Sequence, residues 1–486
     1  MLPKQLKYGS RVESAPSKSY KSNISPQNGT GNYGLNDTII INIPTRANLC
    51  LVPSESFLKF NVSFTSAAAN NNIRWDSCGA HGIIQRLKIF HGSNLLQDID
   101  NYGLLAKIMF DLQVPSDACY GKYSVLAGTR PDLGVTLPTI TALTTTAGGR
   151  DPAGTTTAQI GTAITTLATD VNTNIQAVLT AATRQGLQIN SGEVVSSVNT
   201  AGAAGTAKTY CINLISLLGT LCHQYIPLFA CTSAPIRLEL QLVDQANKGV
   251  VSTTAISSMT MNNVEYIAQM IELGDSAMAM IQQSLNGQPL QFVVPDYRNY
   301  PYANVTLTQN TSVQAQMPIA AKFSSLKSII IAIRDKGTGT DTFFPFSSVK
   351  LGLTDYNFRV GSQVMPAKNP STTPEFFAEV LKAVGSMSNL DHHPSIENYT
   401  YTLDASVAHS AAGSTSSGSF YIGLDLENYA NASKDSIFAG YNSNTDDIYA
   451  VLNFTNTNAT VQPRLDAYAM FDAVYVFDNN TVYERF

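Results

Sequence analysis

The chain has 486 residues, 44% of them apolar and only 13% charged, with a net charge of −5. That length is too great for one ordinary core and fits two domains of about 200 residues each once insertions are subtracted. The acidic balance argues against a dedicated nucleic-acid binder, which needs a clear cationic excess. The six scattered cysteines, with no Cys-x-x-Cys pair, read as buried thiols in a reducing compartment rather than a disulfide framework or zinc site.

Residues 1–36 are polar and punctuated by proline and glycine, and read as an N-terminal arm. Lys4, Lys7, Arg11, Lys18 and Lys21 stand there against Glu13 alone, so the arm suits an anionic surface or a place beneath an assembly. No apolar run marks a signal peptide over 1–20, and no run of about 18 apolar residues is long enough to span a membrane. The Asn-x-Ser/Thr triplets, such as those at Asn61 and Asn304, are therefore expected to stay unmodified.

A first domain is expected over 37–272. Strands fall at 38–43 and 56–64, where Leu58, Phe60, Val62 and Phe64 alternate with Phe57, Lys59, Asn61 and Ser63. The stretch 82–112 then reads as strand, turn at His91 to Asn94, strand, and a helix capped by Asp100 or Asn101 with Tyr102, Leu105, Met109 and Leu112 on one face. Between 136 and 207 threonine, alanine and glycine dominate, which predicts a long surface insertion with a helix near 165–184. Strands resume at 209–218, 236–243 and 264–271, and a helix from Asp275 to Leu285 forms a connector over 273–288.

The second domain, 289–486, repeats the grammar. Short strands are expected at 290–294, 305–307, 313–317, 326–333, 399–403, 420–426, 448–454 and 465–477. Within it, 347–385 repeats the plan of 82–112. Val349, Leu351 and Leu353 form a strand face, Asp355 to Asn357 a turn, and 358–364 the returning strand. Thr372 or Thr373 with Glu375 supplies a capping box for a helix carrying Phe377, Leu381 and Val384 on one face and stopping at Gly385. That helix is expected to pack at the barrel's flank. The fold class that follows is all-β: two tandem eight-stranded antiparallel jelly rolls, with a few short helices and a long loop insertion.

Chemistry is sparse. The six histidines are scattered, and the adjacent pair His392 and His393 points to opposite sides of an extended segment. The run 336–340 lacks the lysine and helix of a phosphate loop and reads as a hairpin turn. Asp446 with Asp447, and Asp425 with Glu427, are too few for a calcium site. No catalytic, cofactor-binding or metal site is assigned, and neither an enzyme nor a small-molecule substrate is expected.

Tyr225-Ile226-Pro227-Leu228 followed by Pro235 to Leu240, the strand begun by Ser325-Leu326-Lys327-Ser328-Ile329, and the segment 351–385 resemble the double jelly-roll major capsid proteins of DNA viruses. They are most like the Polinton, adintovirus and virophage group of the adenovirus-related lineage, over roughly 37–486. The resemblance implies homotrimeric, pseudo-hexagonal capsomers in an icosahedral shell around double-stranded DNA, localised to the virion and assembled inside the host cell. It further implies contacts with neighbouring capsomers, with penton and minor capsid proteins, and of the basic arm with the virion interior, genome or membrane. The insertion at 136–207 has no counterpart in it, and the loops around 115–207 are expected to form an outward tower. The competing readings are a carbohydrate-binding adhesin or fibre, which would carry a secretion route and a clustered aromatic or calcium site, and a cupin-like enzyme, which would need clustered histidines.

Overall fold

Apolar and polar residues alternate through most strands, and the alternation decides what is buried. Leu58, Phe60, Val62 and Phe64 are buried, whereas Lys59, Asn61 and Ser63 between them are half-buried. The computed structural model describes residues 17–29, 31–67, 71–129, 191–198, 200–246, 248–252, 256–335, 346–385, 394–404, 417–428, 439–457 and 460–486. Its first half runs β1 (Ser17–Ile24), β2 (Asn32–Tyr33), β3 (Thr38–Ile43), β4 (Leu49–Ser66), β5 (Asn71–Asp76), β6 (Ile84–His91) and β7 (Asn94–Asp100). Helices α1 (Tyr102–Gln113), α2 (Ser116–Tyr120) and α3 (Lys122–Ala127) follow. Then come β8 (Ser191–Val198), β9 (Lys208–Ile212), β10 (Ile236–Leu242), β11 (Val250–Val251) and β12 (Ile256–Leu273).

Helix α4 (Asp275–Leu285) leads to the second half, closing at Asn286, whose left-handed backbone ends the helix. The strands there are β13 (Leu290–Tyr302), β14 (Thr311–Ile319), β15 (Leu326–Asp335), β16 (Leu353–Val360) and β17 (Gln363–Met365). Helices α5 (Thr373–Val384) and α6 (Asn398–Tyr401) precede β18 (Tyr421–Asp425), β19 (Ile448–Asn456), β20 (Pro463–Asp478) and β21 (Thr481–Arg485).

Both halves obey one pairing rule. Take β1, β3, β4, β6, β7, β9, β10 and β12 as first to eighth: first pairs with eighth, second with seventh, third with sixth and fourth with fifth, all antiparallel. The eighth also pairs with the third, and the seventh with the fourth. β13 to β20 repeat every one of these pairings. A long antiparallel hairpin rolled up on itself gives this order, so the chain is two tandem jelly rolls. In both, the fifth strand is followed by helices before the sixth strand arrives, which is the shared plan of 82–112 and 347–385.

Several expected details shift. Ser17–Ile24, placed in the arm, is the first strand of the first roll and pairs with β12. Its residues are exposed or half-buried, so backbone hydrogen bonds hold it and no apolar pattern announces it. Residues 191–198, placed in the surface insertion, form β8 and pair with β5, burying Val195 and Val198. The expected insertion helix near 165–184 lies outside the described residues. No strand forms over 399–403, where the helical turn Asn398–Tyr401 lies instead, and 305–307 contributes only an isolated bridge between Leu307 and Val461.

In the second repeat unit the turn lies at Gly361 and Ser362 rather than at 355–357. Leu351 and Gly352 have φ of 49° and 73°, which breaks the expected strand and restarts it at Leu353. The capping box of Thr372 and Glu375 is present, and the backbone N–H groups of Ser371 and Thr372 hold the Glu375 carboxyl down to about 2. Phe376, Val380 and Ala383 are the buried face of α5, one residue from the face expected. The helix covers β18, where Gly423 permits the approach: a Cβ there would lie 2.9 Å from Ala383 Cβ and 3.1 Å from Val380 Cα. Gly423→Ala should therefore destabilise the second roll by about 1–3 kcal/mol in urea unfolding, as overpacking does.

Candidate functional site: the seam between the jelly rolls

The unit formed by β6, β7 and α1 does more than complete the first roll; it is the face on which the second roll sits. Helix α1 has only two charged residues, Lys107 and Asp111, and a helix apolar all round belongs inside. Eleven of its twelve residues, Tyr102 to Leu112, are buried. Lys107 Nζ lies 2.7 Å from Asp111 Oδ2 and donates to Ser77 Oγ at 3.0 Å and, across the seam, to Ser419 Oγ at 3.2 Å. Asp111 Oδ2 accepts from Ser419 Oγ at 2.8 Å and from Tyr421 OH at 2.7 Å. Ser395 donates to the Phe110 carbonyl, and the Phe346 N–H donates to Asp76. Burial raises the Asp76 carboxyl above its usual range, against the lowering pull of Lys107.

Further along the seam, Asn101 caps α1 with its backbone in the left-handed region while its side chain donates to Asp466 Oδ1 at 3.3 Å. Tyr468 OH donates to the Asn101 carbonyl, and Arg334 holds the other Asp466 oxygen. At the far end Gln97 Nε2 donates to Asp296 Oδ1 at 2.6 Å, and Tyr475 OH to the Leu96 carbonyl. The Val482 N–H donates to His91 Nδ1, so Nε2 carries the proton and donates to the Cys231 carbonyl at 3.1 Å. The sequence reading missed Lys107, Asp111, Gln97, Asp296 and Asp466; two lone charges four apart in an apolar helix were the available signal.

The residues weighed for chemistry go elsewhere. Tyr102 OH accepts the Ile215 N–H and donates to His81 Nδ1, and burial drives the His81 pKa down to about 3, so this imidazole is neutral. Burial pushes the Cys50 and Cys222 thiols up to about 11 and Cys231 to about 12. Lys322 engages Asp447, Tyr441 engages Asp446, and Lys327 engages Glu427 at 3.0 Å. No group of three or more histidine, cysteine or acidic side chains able to hold a metal occurs among the described residues, and none of their helices is long and apolar enough to cross a membrane. His392, His393, His409 and the run 336–340 lie outside the described residues. So do Lys4, Lys7 and Arg11; Lys18 and Lys21 are exposed on β1, opposite Glu272 and Gln269. Thr373, Pro374 and Phe377 of α5 also border an apolar groove of about 330 Å³ with Ile396 and Tyr401, so the flank helix has a pocket beside it.

The seam surfaces of each roll have counterparts in the other, and those counterparts are open. β20, the eighth strand of the second roll, is buried on both faces, whereas its equivalent β12 alternates buried and half-exposed residues along most of its length. α1 is buried nearly throughout, whereas α5 buries three residues. Val364 on β17 is 48% exposed and Tyr20 on β1 is 40% exposed.

Neither a protein-family model nor a curated protein sequence matches the chain. Solved structures do. A chain of the PBCV-1 virus capsid matches with a TM-score of 0.60 at 10% identity, covering 99% of both chains. A chain of the Sputnik virophage matches at 0.59 and 11% identity, covering 100% of this chain and 92% of that one. The mavirus major capsid protein matches at 0.51 and 10% identity, covering 100% and 93%. The likeness runs the whole length and is one of fold: the double jelly roll.

Proposed function

We propose that the chain is a major capsid protein whose copies associate as homotrimers, pseudo-hexagonal capsomers of an icosahedral virion shell around DNA. The observation that carries this reading is the pair of open counterparts just described. Within one chain, the fourth and fifth strands and helix of the first roll meet the outer sheet of the second. The same two surfaces, β16, β17 and α5 on the second roll and β1, β12 and β4 on the first, remain free to meet between copies. A contact of that kind is head-to-tail and closes into a ring when the rotation allows; three copies present six similar walls. The low charge of the chain suits obligate contacts, which run to roughly 2,000–5,000 Å².

In this reading the basic N-terminal residues Lys4, Lys7 and Arg11 face the virion interior, and no catalysis is assigned. The adhesin reading has no feature of the described residues in its favour. Negative-stain microscopy with light scattering tests the proposal: purified protein should give pseudo-hexagonal trimers, and Val364→Asp should give folded monomers with a lower melting temperature, since association no longer stabilises the fold. Monodisperse wild-type monomers would sink it.

A further inference from the structure

We propose that Asp296 and Glu484 form a proton-operated latch in the seam, holding the two jelly rolls together when protonated and loosening them when both ionise. This goes beyond the capsid reading and does not depend on it. Asp296 on β13 is buried and held by Gln97 of β7, which also accepts the Leu217 N–H at 2.8 Å. Glu484 sits on β21, two residues beyond Val482, whose N–H and carbonyl are engaged by His91 and Asn94 of the first roll. Its Oε1 is enclosed with no hydrogen-bond partner among the described residues. The two carboxyls thus stand on β13 and β21, the strands that flank the end of β20, in the sheet of the second roll that meets β6 and β7 of the first.

Asp296 Oδ1 accepts from Gln97 Nε2 and, at 2.7 Å, from the Tyr297 N–H, which offset part of its burial, whereas the groups facing Glu484 offer little compensation. On β7, Asp98 adds negative charge and is engaged by Arg86. On β20, Tyr475 donates its proton to the Leu96 carbonyl; on β6, His91 already receives the Val482 N–H; Cys222 contributes only a buried thiol. Arg298 on β13 is the cation opposing both carboxylates, and its guanidinium lies 5.2–5.6 Å from the ring centres of Phe323, Phe471 and Phe486. Burial first, and repulsion from Asp296 after it, lift Glu484 from 4.5 to about 8; burial first, with repulsion from Asp98, lifts Asp296 from 3.8 to about 6.

The direction of the effect follows. Each folded-state pKa lies above its unfolded value, so the native seam binds more protons. Its stability is full below about pH 4, falls as pH rises through the window, and reaches its lower plateau above about 8.

Hydrogen exchange on the full chain tests the latch. After correction for intrinsic rates, the amides of β7 and β21 should be protected at least about tenfold more at pH 5.5 than at pH 8.5, tenfold being one unit of pKa displacement. Glu484→Gln should remove most of that difference, and Asp296→Asn a smaller part of it. If Glu484→Gln fails to fold, Asp296→Asn carries the test. A flat wild-type profile, or a slope undiminished in both variants, overturns the proposal. The readout is independent of trimer formation, so it fails or succeeds apart from the capsid reading.

Discussion

Asp111→Ala should destabilise the protein by about 3–5 kcal/mol, the usual cost of removing one partner from a buried ion pair. The Lys107 side chain is 0% exposed, and truncation would leave it hydrogen-bonded only to the hydroxyls of Ser77 and Ser419, with the more distant Asp76 carboxyl as its remaining opposing charge. Tyr421, whose phenol burial and the nearby Asp111 already push well above its usual range, would lose its acceptor as well. Because Ser419 and Tyr421 belong to the second roll, the loss falls on the seam and not on one core. Urea unfolding should show it as separation of one transition into two. The double variant Asp111→Ala with Lys107→Met should be milder than Asp111→Ala alone, since it removes the orphaned charge. A single variant as stable as wild type would show that water reaches this cluster.

That cluster also marks where sequence reasoning stopped. The strand–turn–strand–helix unit was legible at 82–112 because Ile83, Leu87 and Ile89 share strand parity before the turn cluster His91 to Asn94 and an apolar run returns over 95–99; Ile83, Leu87, Ile89, Leu96 and Ile99 are buried. The duplication followed from seeing the same plan again at 347–385. The turn there was misplaced by several residues because Tyr356, taken for turn, is a buried strand residue and the chain reverses only at Gly361 (φ 57°); the separate break before Leu353 depends on the positive φ of Leu351, which no composition reveals. Ser17–Ile24 was not legible as a strand, since its side chains carry no apolar face and pairing with β12 is its whole support. What the second roll rests on could not be read either. Period and propensity show that α1 is buried but not against what, and the seam partners of Lys107 and Asp111, Ser419 and Tyr421, lie more than three hundred residues away. Local pattern fixes which face is apolar; only the three-dimensional fold brings Asn101 to Asp466 or Gln97 to Asp296.

The Thr/Ala-rich insertion separates the two kinds of information again. Excising 140–205 should cost about 3–6 kcal/mol and abolish assembly, because it removes β8 with Val195 and Val198, each buried valine being worth about 1.5–3 kcal/mol. It also strips Glu193, which accepts from Tyr210 OH at 2.6 Å, and bares Trp75, which packs edge-on against Phe64 and Tyr210. Excising only 140–186 should leave melting temperature and trimer fraction unchanged. The Glu193 N–H donates to the Gly128 carbonyl at 3.0 Å, so the two ends of the excursion stand side by side and a short connection can join them. Loop closure changes by only about 0.6 kcal/mol per halving of length, in favour of the shorter loop. Differential scanning fluorimetry and size-exclusion chromatography of the two deletions distinguish the outcomes. Loss of trimers in the shorter one would place residues 140–186 in the contact between copies, and would move the interface away from the open counterparts of the seam.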